Sequence, residues 1–422
     1  MNRDLFEKCG KFTAAKDLMS LGLYPYFRAI EDSNGNFVSS HGKKRVMIGS
    51  NNYLGLTHHP RVMEAAKKAI DHFGTGCTGS RFLNGNLTLH EELEANLEAF
   101  LEKEKVLVYS TGFQANLGSI SCLCGKNDVI FSDSENHASI IESMRSSFAK
   151  VIKYPHNDVN RLEELLERNA HKFHGILIVF DGVFSMTGDI VDLPKIIRVA
   201  KKYNARLYCD DAHSIGVLGP KGEGTGHHFG LQKDVDLVMG TFSKSFASIG
   251  GFVAGSEEVI HYIKHNSRSF IFSASMPPAA VATVLKCLKI IQEEPEHLQN
   301  LWKNVKKMRE GFKELGFQIG NTQTPVIPIL IGDDMKVFMM TKALYEKGIF
   351  ATPVVSPGVP PGEALIRTSY MATHTESELN FVLDVFADLK KEFNIEDADS
   401  SSAEVNSFAH EATLEAGQPS LS

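Results

Sequence analysis

Between about residues 46 and 275, short β-branched runs alternate with segments whose apolar residues recur at helical spacing. The runs at 106–110, 129–132, 176–180, 206–210 and 237–239 predict strands. Leu193, Ile196, Ile197 and Ala200 keep the rhythm of a helix with one buried face, as do Leu89, Leu93, Leu97, Phe100 and Leu101. Strand–helix–strand alternation predicts an α/β fold with a mostly parallel central sheet covered on both faces. In such sheets ligands gather at the carboxyl ends of the strands.

The rhythm changes after Pro277 and Pro278. A helical stretch over 279–316, a strand over 326–331, a helix over 335–347, a strand over 365–369 and a helix over 375–393 predict a smaller α+β C-terminal domain. The expected division is a thin segment 1–45, a large α/β domain 46–275, a small domain 276–395 and a tail 396–422. Residues 5–21 place Leu5, Cys9, Phe12 and Met19 among lysines. That pattern suits a helix docked on the protein's own body or lying on a membrane surface. The tail holds six acids and six serines but no Lys or Arg, so it is expected to be disordered.

Composition narrows the class. With 43% apolar and 23% charged residues, the 422-residue chain is globular and long enough to bury a core without disulfides or metals. The net charge of −7 comes mostly from the tail, and no basic block offers a footprint for nucleic acid. No apolar run is long enough to span a bilayer. The opening MNRDLFEKCGKFTAAKD carries charges where a secretory signal needs apolar residues, so a cytoplasmic protein is expected. The six cysteines form no CxxC pair and are read as reduced thiols. His58-His59 and His227-His228 are adjacent pairs without the spacing that puts two ligands on one helix face, and no metal is expected. Gly222, Gly224 and Gly226 follow no strand, so they make no dinucleotide fingerprint.

Five segments carry candidate chemistry. In GTFSKSFASIGG (240–251), Lys244 follows a buried-looking strand and sits among Ser, Thr and Gly. A lysine in a water-poor place can form a Schiff base, and short hydroxyl residues suit a phosphate. Together they suggest pyridoxal 5′-phosphate; the ordinary alternative is a surface lysine in a polar turn. Asp210 ends an apolar strand, where an acid could pair with a pyridinium nitrogen, or one of the aspartates could cap a helix. His213, three residues on, could reach the ring's phenolic oxygen. Gly112 and Phe113 lie at a strand-to-helix junction whose free N–H groups suit an anion. His137 could stack on a ring or be structural. Arg367, in an apolar strand, demands an anion: a substrate carboxylate or an internal ion pair.

In this order, STGFQAN, NHASI, DGVFSMTGD, DDAHSIG, GTFSKS and a late LIRTS resemble the pyridoxal-phosphate-dependent α-oxoamine synthases. The resemblance spans about residues 20–393. It implies a PLP-dependent transferase of fold type I, aspartate-aminotransferase-like. Lys244 would carry the cofactor as a Schiff base and move protons at the substrate Cα. His137 would stack on the ring and touch the substrate carboxylate. Asp210 would hold the ring nitrogen; His213 and Ser185 would bind the phenolic oxygen. Gly112, Phe113, Thr241 and Ser243 would seat the phosphate, and Ser273 and Ala274 would reach the phosphate of the neighbouring subunit of a homodimer. Asn52 would approach the substrate and Arg367 would take its carboxylate.

Within the family, glycine-using and biotin-pathway members usually carry Gly where Ser243 stands. GTFSKSFASIGGF and the VSPGVPP loop (355–361) look like the branch whose soluble bacterial members condense L-serine with palmitoyl-CoA. A sister synthase using glycine or alanine with another acyl-CoA is the alternative. Some bacterial members bear an arginine before the Pro-rich loop; Val355 stands near that place, so the resemblance supplies no mobile arginine clamp here. The acidic tail lies outside the family pattern.

Overall fold

β-Branched and aromatic residues with no polar alternation form strands that must be buried on both faces. The structure, a computed structural model describing residues 4–398, gathers them in one seven-stranded sheet. Its strands are β1 (Lys105–Tyr109), β2 (Asp128–Asp133), β3 (Lys150–Tyr154), β4 (Gly175–Asp181), β5 (Arg206–Asp210), β6 (Leu237–Thr241) and β7 (Gly251–Gly255). Their order is β1-β7-β6-β5-β4-β2-β3. From β6 through β3 all neighbours run parallel, while β7 is antiparallel to both β1 and β6.

The sequence pattern does not show β3 or β7. β3 is the sheet's edge, and its exposed Lys150 and Lys153 break the apolar run, as protected edges do. β7 reads GFVAG, with glycine at both ends where strand propensity is weakest.

Helix α1 (Pro60–Phe73) precedes the sheet in the chain, and helices α2 (Gly112–Leu123) and α3 (Ala138–Ser146) cover it. α2 and α3 start just beyond the ends of β1 and β2. Thr111 caps α2 by accepting the Gln114 N–H at 3.1 Å. The predicted helix over 279–316 is two helices, α4 (Pro278–Glu293) and α5 (Glu296–Glu314). Pro295 separates them: it has no N–H for the ladder and pushes Glu294 out of helical geometry.

A second apolar core forms around the antiparallel strands β8 (Val326–Gly332), β9 (Thr352–Val354) and β10 (Ala364–Ser369), with α6 (Asp334–Glu346) and α7 (Glu376–Glu392). A Thr375–Glu378 capping box starts α7. A hairpin of Phe37–Ser40 and Lys43–Met47 joins this body, because Ile349–Phe350 pairs parallel with Lys43–Met47. Val46 and Ile48 lie in one apolar cluster with Met308, Phe312 and Ile327. The expected thin 1–45 segment therefore ends in a strand pair belonging to the C-terminal core.

Residues 5–21 form two short helices, Glu7–Lys11 and Ala14–Ser20, with no buried residue. Leu5, Phe6, Phe12 and Met19 are more than half exposed. The expected docking of this segment on the protein's own body is absent among the described residues. The tail expected to be disordered falls outside the described residues beyond 398. No helix of the described residues is long and apolar enough to cross a membrane.

One contact fixes where the sheet meets α2. A Cβ on Gly251 would lie 2.6 Å from the Gly112 Cα and 2.9 Å from the Gly240 carbonyl oxygen, both backbone atoms that cannot step aside. Gly251→Ala is expected to cost about 1–3 kcal/mol by overpacking. A urea unfolding midpoint equal to that of the parent would contradict this close approach.

Candidate active site

β4, β5 and β6 end side by side, at Asp181, Asp210 and Thr241, and the chain beyond β6 turns through Lys244. A cavity of about 360 Å³ opens at this edge, walled by Gly112, His137, Asp210, His213, Thr241 and Lys244 among others. A second hollow of about 340 Å³, near Gln318 and Asn394, holds none of these groups.

Lys244 lines the cavity and is densely surrounded by protein. Burial pulls its pKa down from 10.5, Asp210 and Asp181 pull it back up, and Arg367 lowers it again, leaving it at about 8. Asp210 Oδ2 accepts from Asn116 Nδ2 at 2.7 Å, and its Oδ1 accepts from the Ala212 N–H at 3.0 Å. Asn116 Nδ2 also donates to Ser139 Oγ at 2.8 Å, and its Oδ1 accepts from the Tyr208 hydroxyl at 2.8 Å. Asp181 is fully enclosed, and burial together with the Asp210 charge raises its pKa well above the carboxylate range.

The two imidazoles are held neutral. Burial lowers His137, against the pull of Asp210. Its Nδ1 accepts from the Ser139 N–H at 3.2 Å, so the ring proton sits on Nε2. Its backbone N–H donates to Asp181 Oδ2 at 3.0 Å, which ties the start of α3 to the end of β4. Burial, with Lys244, Arg367 and His137 nearby, takes His213 well below its usual value. His213 Nδ1 meets the Tyr53 hydroxyl at 2.7 Å.

An anion seat lies at the start of α2. The Gln114 N–H is used by Thr111 and the helical ladder begins at Ala115, which leaves the N–H groups of Gly112 and Phe113 for a ligand. Thr241 Oγ1 and Ser243 Oγ, 3.0 Å apart, stand across from them. A Cβ on Gly112 would sit 2.9 Å from Thr241 Oγ1, so only glycine lets the two sides approach. Arg367, on β10, is buried. Its Nε donates to the Ser185 carbonyl at 2.7 Å and its Nη2 to Asn51 Oδ1 at 3.0 Å. It has no carboxylate partner among the described residues. Burying an unpaired cation costs several kcal/mol, so the arrangement calls for an anionic ligand.

The structure thus brings Lys244, His137, Asp210, His213, Gly112, Phe113, Thr241 and Ser243 to one cavity wall. Ser185 meets Arg367 through its carbonyl. Ser273 Oγ accepts from Gln114 Nε2 at 3.0 Å and the Ala274 carbonyl accepts from Ser110, so both lie against the start of α2 in their own subunit. Asn52 is buried; its amide donates to Thr57 Oγ1 at 2.9 Å, and its Oδ1 has no hydrogen-bond partner among the described residues. Its neighbour Asn51 reaches Arg367. The motifs did not single out Asn51, Tyr53, Asn116 or Asp181. A signal existed for two of them: Asn116 lies one helical turn after Gly112, and Asp181 ends an apolar strand just as Asp210 does.

A family model for class I and II aminotransferases matches residues 43–386. A serine palmitoyltransferase from Bacteriovorax stolpii is 60% identical over 88% of this chain and 89% of its own length. An 8-amino-7-oxononanoate synthase from Thermoanaerobacter pseudethanolicus is 42% identical over 90% of this chain and 96% of its own. A solved serine palmitoyltransferase with its PLP internal aldimine superposes with a TM-score of 0.91 at 34% identity, covering 93% of this chain and all of that one.

The electrostatics of Lys244 can be read directly. Labelling of the cofactor-free protein with a small aldehyde and borohydride, followed by peptide mass spectrometry, should modify Lys244 half-maximally near pH 8. An ordinary lysine titrates near 10.4. A Lys244 profile centred there would contradict the balance described above.

Proposed function

The chain belongs to the class I and II aminotransferase family, in its α-oxoamine synthase branch, and on that footing we propose that it condenses L-serine with palmitoyl-CoA, releasing CoA and CO₂ and giving 3-oxosphinganine. The observation that carries this reading is the greater identity to serine palmitoyltransferase than to 8-amino-7-oxononanoate synthase, over nearly the whole chain. The second reading, a sister synthase taking glycine or alanine with another acyl-CoA, rests on the latter relative.

The site fits pyridoxal phosphate as cofactor. Gly112, Phe113, Thr241 and Ser243 would hold its phosphate, Asp210 its ring nitrogen, His137 its ring face, His213 and Ser185 its phenolic oxygen, and Lys244 its aldehyde carbon. When bound, the cofactor supplies an electron sink for negative charge developing at the amino acid's Cα.

The remaining work falls to the chain. Lys244, with a pKa of about 8, is close enough to neutrality to take the Cα proton and return one later. Arg367 supplies the buried cation that the serine carboxylate needs, its guanidinium held by donating to the Ser185 carbonyl and to Asn51 Oδ1. His137, neutral with its proton on Nε2, can donate to the same carboxylate without adding charge beside Lys244. Holding carboxylate and Cα between these groups orients the bonds that break.

A homodimer is part of the proposal. Exposed Phe82, Leu83 and Phe272 lie on adjoining segments, linked by the Ser275 N–H to the Gly79 carbonyl at 2.9 Å. Next to the anion seat, such an apolar patch is what a second copy would cover. A cytoplasmic setting belongs to the same reading; membrane contact through residues 1–21 forms no part of it.

The test offers palmitoyl-CoA and an equal mixture of L-serine, glycine and L-alanine to the pyridoxal-phosphate-loaded protein, with products read by mass spectrometry. A dominant serine-derived 3-oxosphinganine is expected. A dominant glycine or alanine product would move the protein to the sister reading. Lys244→Ala should abolish turnover and leave no cofactor fixed to the chain after borohydride; retained turnover would refute the role given to Lys244.

A further inference from the structure

The sequence sets His59 aside as half of a loop pair, but the fold takes it across the chain. His59 is the residue before Pro60, where α1 begins. α1 packs along α4, and this brings His59 to the elbow where α4 ends at Glu294 and α5 begins with Glu296 and His297. His59, Glu294 and His297 each offer a donor atom, and these atoms all lie within 4.8 Å of one another. The two imidazole rings stand 6.1 Å apart at their centroids.

Three observations bear on what this cluster holds. His297 Nε2 is 3.5 Å from Glu294 Oε2. That is close to the edge of a tetrahedron whose bonds are about 2.1 Å, the length of zinc–nitrogen and zinc–oxygen bonds. Arg61 Nη2 binds the other carboxylate oxygen, Oε1. It thereby fixes the rotamer of Glu294 and leaves Oε2 turned to His297, as an outer-shell partner does for a metal ligand. His59 Nδ1 is buried with no hydrogen-bond partner.

We propose that His59, Glu294 and His297 form a binding site for a borderline divalent cation of the zinc class, completed by water. Two imidazoles and one carboxylate are donors that zinc accepts, and three protein ligands with a water are a common zinc arrangement. The cation would tie the start of α1 to the α4–α5 elbow, where the chain passes from the large sheet to the C-terminal core. It lies outside the cavity that holds Lys244, so its role is to fix this joint.

The experiment is equilibrium dialysis of the pyridoxal-phosphate-loaded protein against zinc, for the parent, His59→Asn and His297→Asn. One zinc per chain is expected in the parent. Each variant should bind it at least about tenfold more weakly, since even outer-shell losses cost that much. Zinc should also raise the unfolding temperature of the parent and not of the variants. The two histidines sit on separate segments, one before α1 and one in α5, so a variant that misfolds leaves the other to report. Unchanged stoichiometry and affinity in both variants would overturn the site. So would a cobalt-loaded spectrum with thiolate charge transfer, because the donors would then be cysteines.

Discussion

An amine enclosed by protein must either lose its charge or be given an anion, and the structure gives Lys244 some of each. Burial and the Arg367 cation favour the neutral amine, while Asp210 and Asp181 favour ammonium. The balance falls at about 8, well below 10.5. Had the carboxylates dominated, the group would be a fixed cation, unable to accept a proton. Had burial acted alone, it would be a base without a ready conjugate acid. The strand ends are arranged to produce the intermediate result, and that requires three parallel strands to stop at the same edge.

The neighbours of Lys244 follow from the same constraint. Extra positive charge at this edge would lower the lysine further, and extra negative charge would raise it. Both imidazoles are accordingly neutral, and burial with the Asp210 charge favours the protonated form of Asp181. Hydrogen bonds do the positioning instead. Asn116 links Asp210 to Ser139, which itself meets His137 Nδ1 at 2.7 Å. Tyr53 holds His213 and also donates to Asn51 Oδ1 at 3.2 Å, which brings this network to Arg367.

Much of this was legible in the chain because strand ends carry it. Apolar runs followed by Asp210 or by GTFSK announce both the sheet and its functional edge, and the order of the motifs pointed to the family. What stayed hidden depends on pairings that no local pattern records. The edge lysines of β3 and the glycines of β7 disguise strands whose existence is decided by their neighbours. Pro295 could have been read as a break, but the apolar rhythm runs through it. Asn51 and Asn52 are adjacent and identical in type, so only the fold decides that Asn51 faces Arg367. His59 and His297 are far apart in sequence, and only the packing of α1 on α4 makes them neighbours.

The most exacting demand on the fold is that Arg367 comes from the small antiparallel sheet while Lys244 comes from the large one. Their relative placement is therefore set by whatever joins the two bodies, and the loop between β4 and the helix Leu193–Tyr203 does much of this. Gly188, at φ +70°, has room for no side chain, because a Cβ there would lie 2.3 Å from the Val326 carbonyl oxygen of β8. Its own carbonyl accepts from Thr324 Oγ1 at 2.9 Å. Beside it in the loop, Asp189 is held by His156 at 2.9 Å, and His156 also meets Asp133 at 3.1 Å. Burial alone would lower the pKa of His156, but the hydrogen bonds and charges of the two aspartates outweigh it and raise it to about 11, so the clamp stays charged at neutral pH. Ser185, three residues before Gly188, presents its carbonyl to Arg367. One short loop thus ties β2 to β8 and sets the guanidinium that serves the site, so a change at Gly188 or His156 would reach Arg367 through position rather than contact.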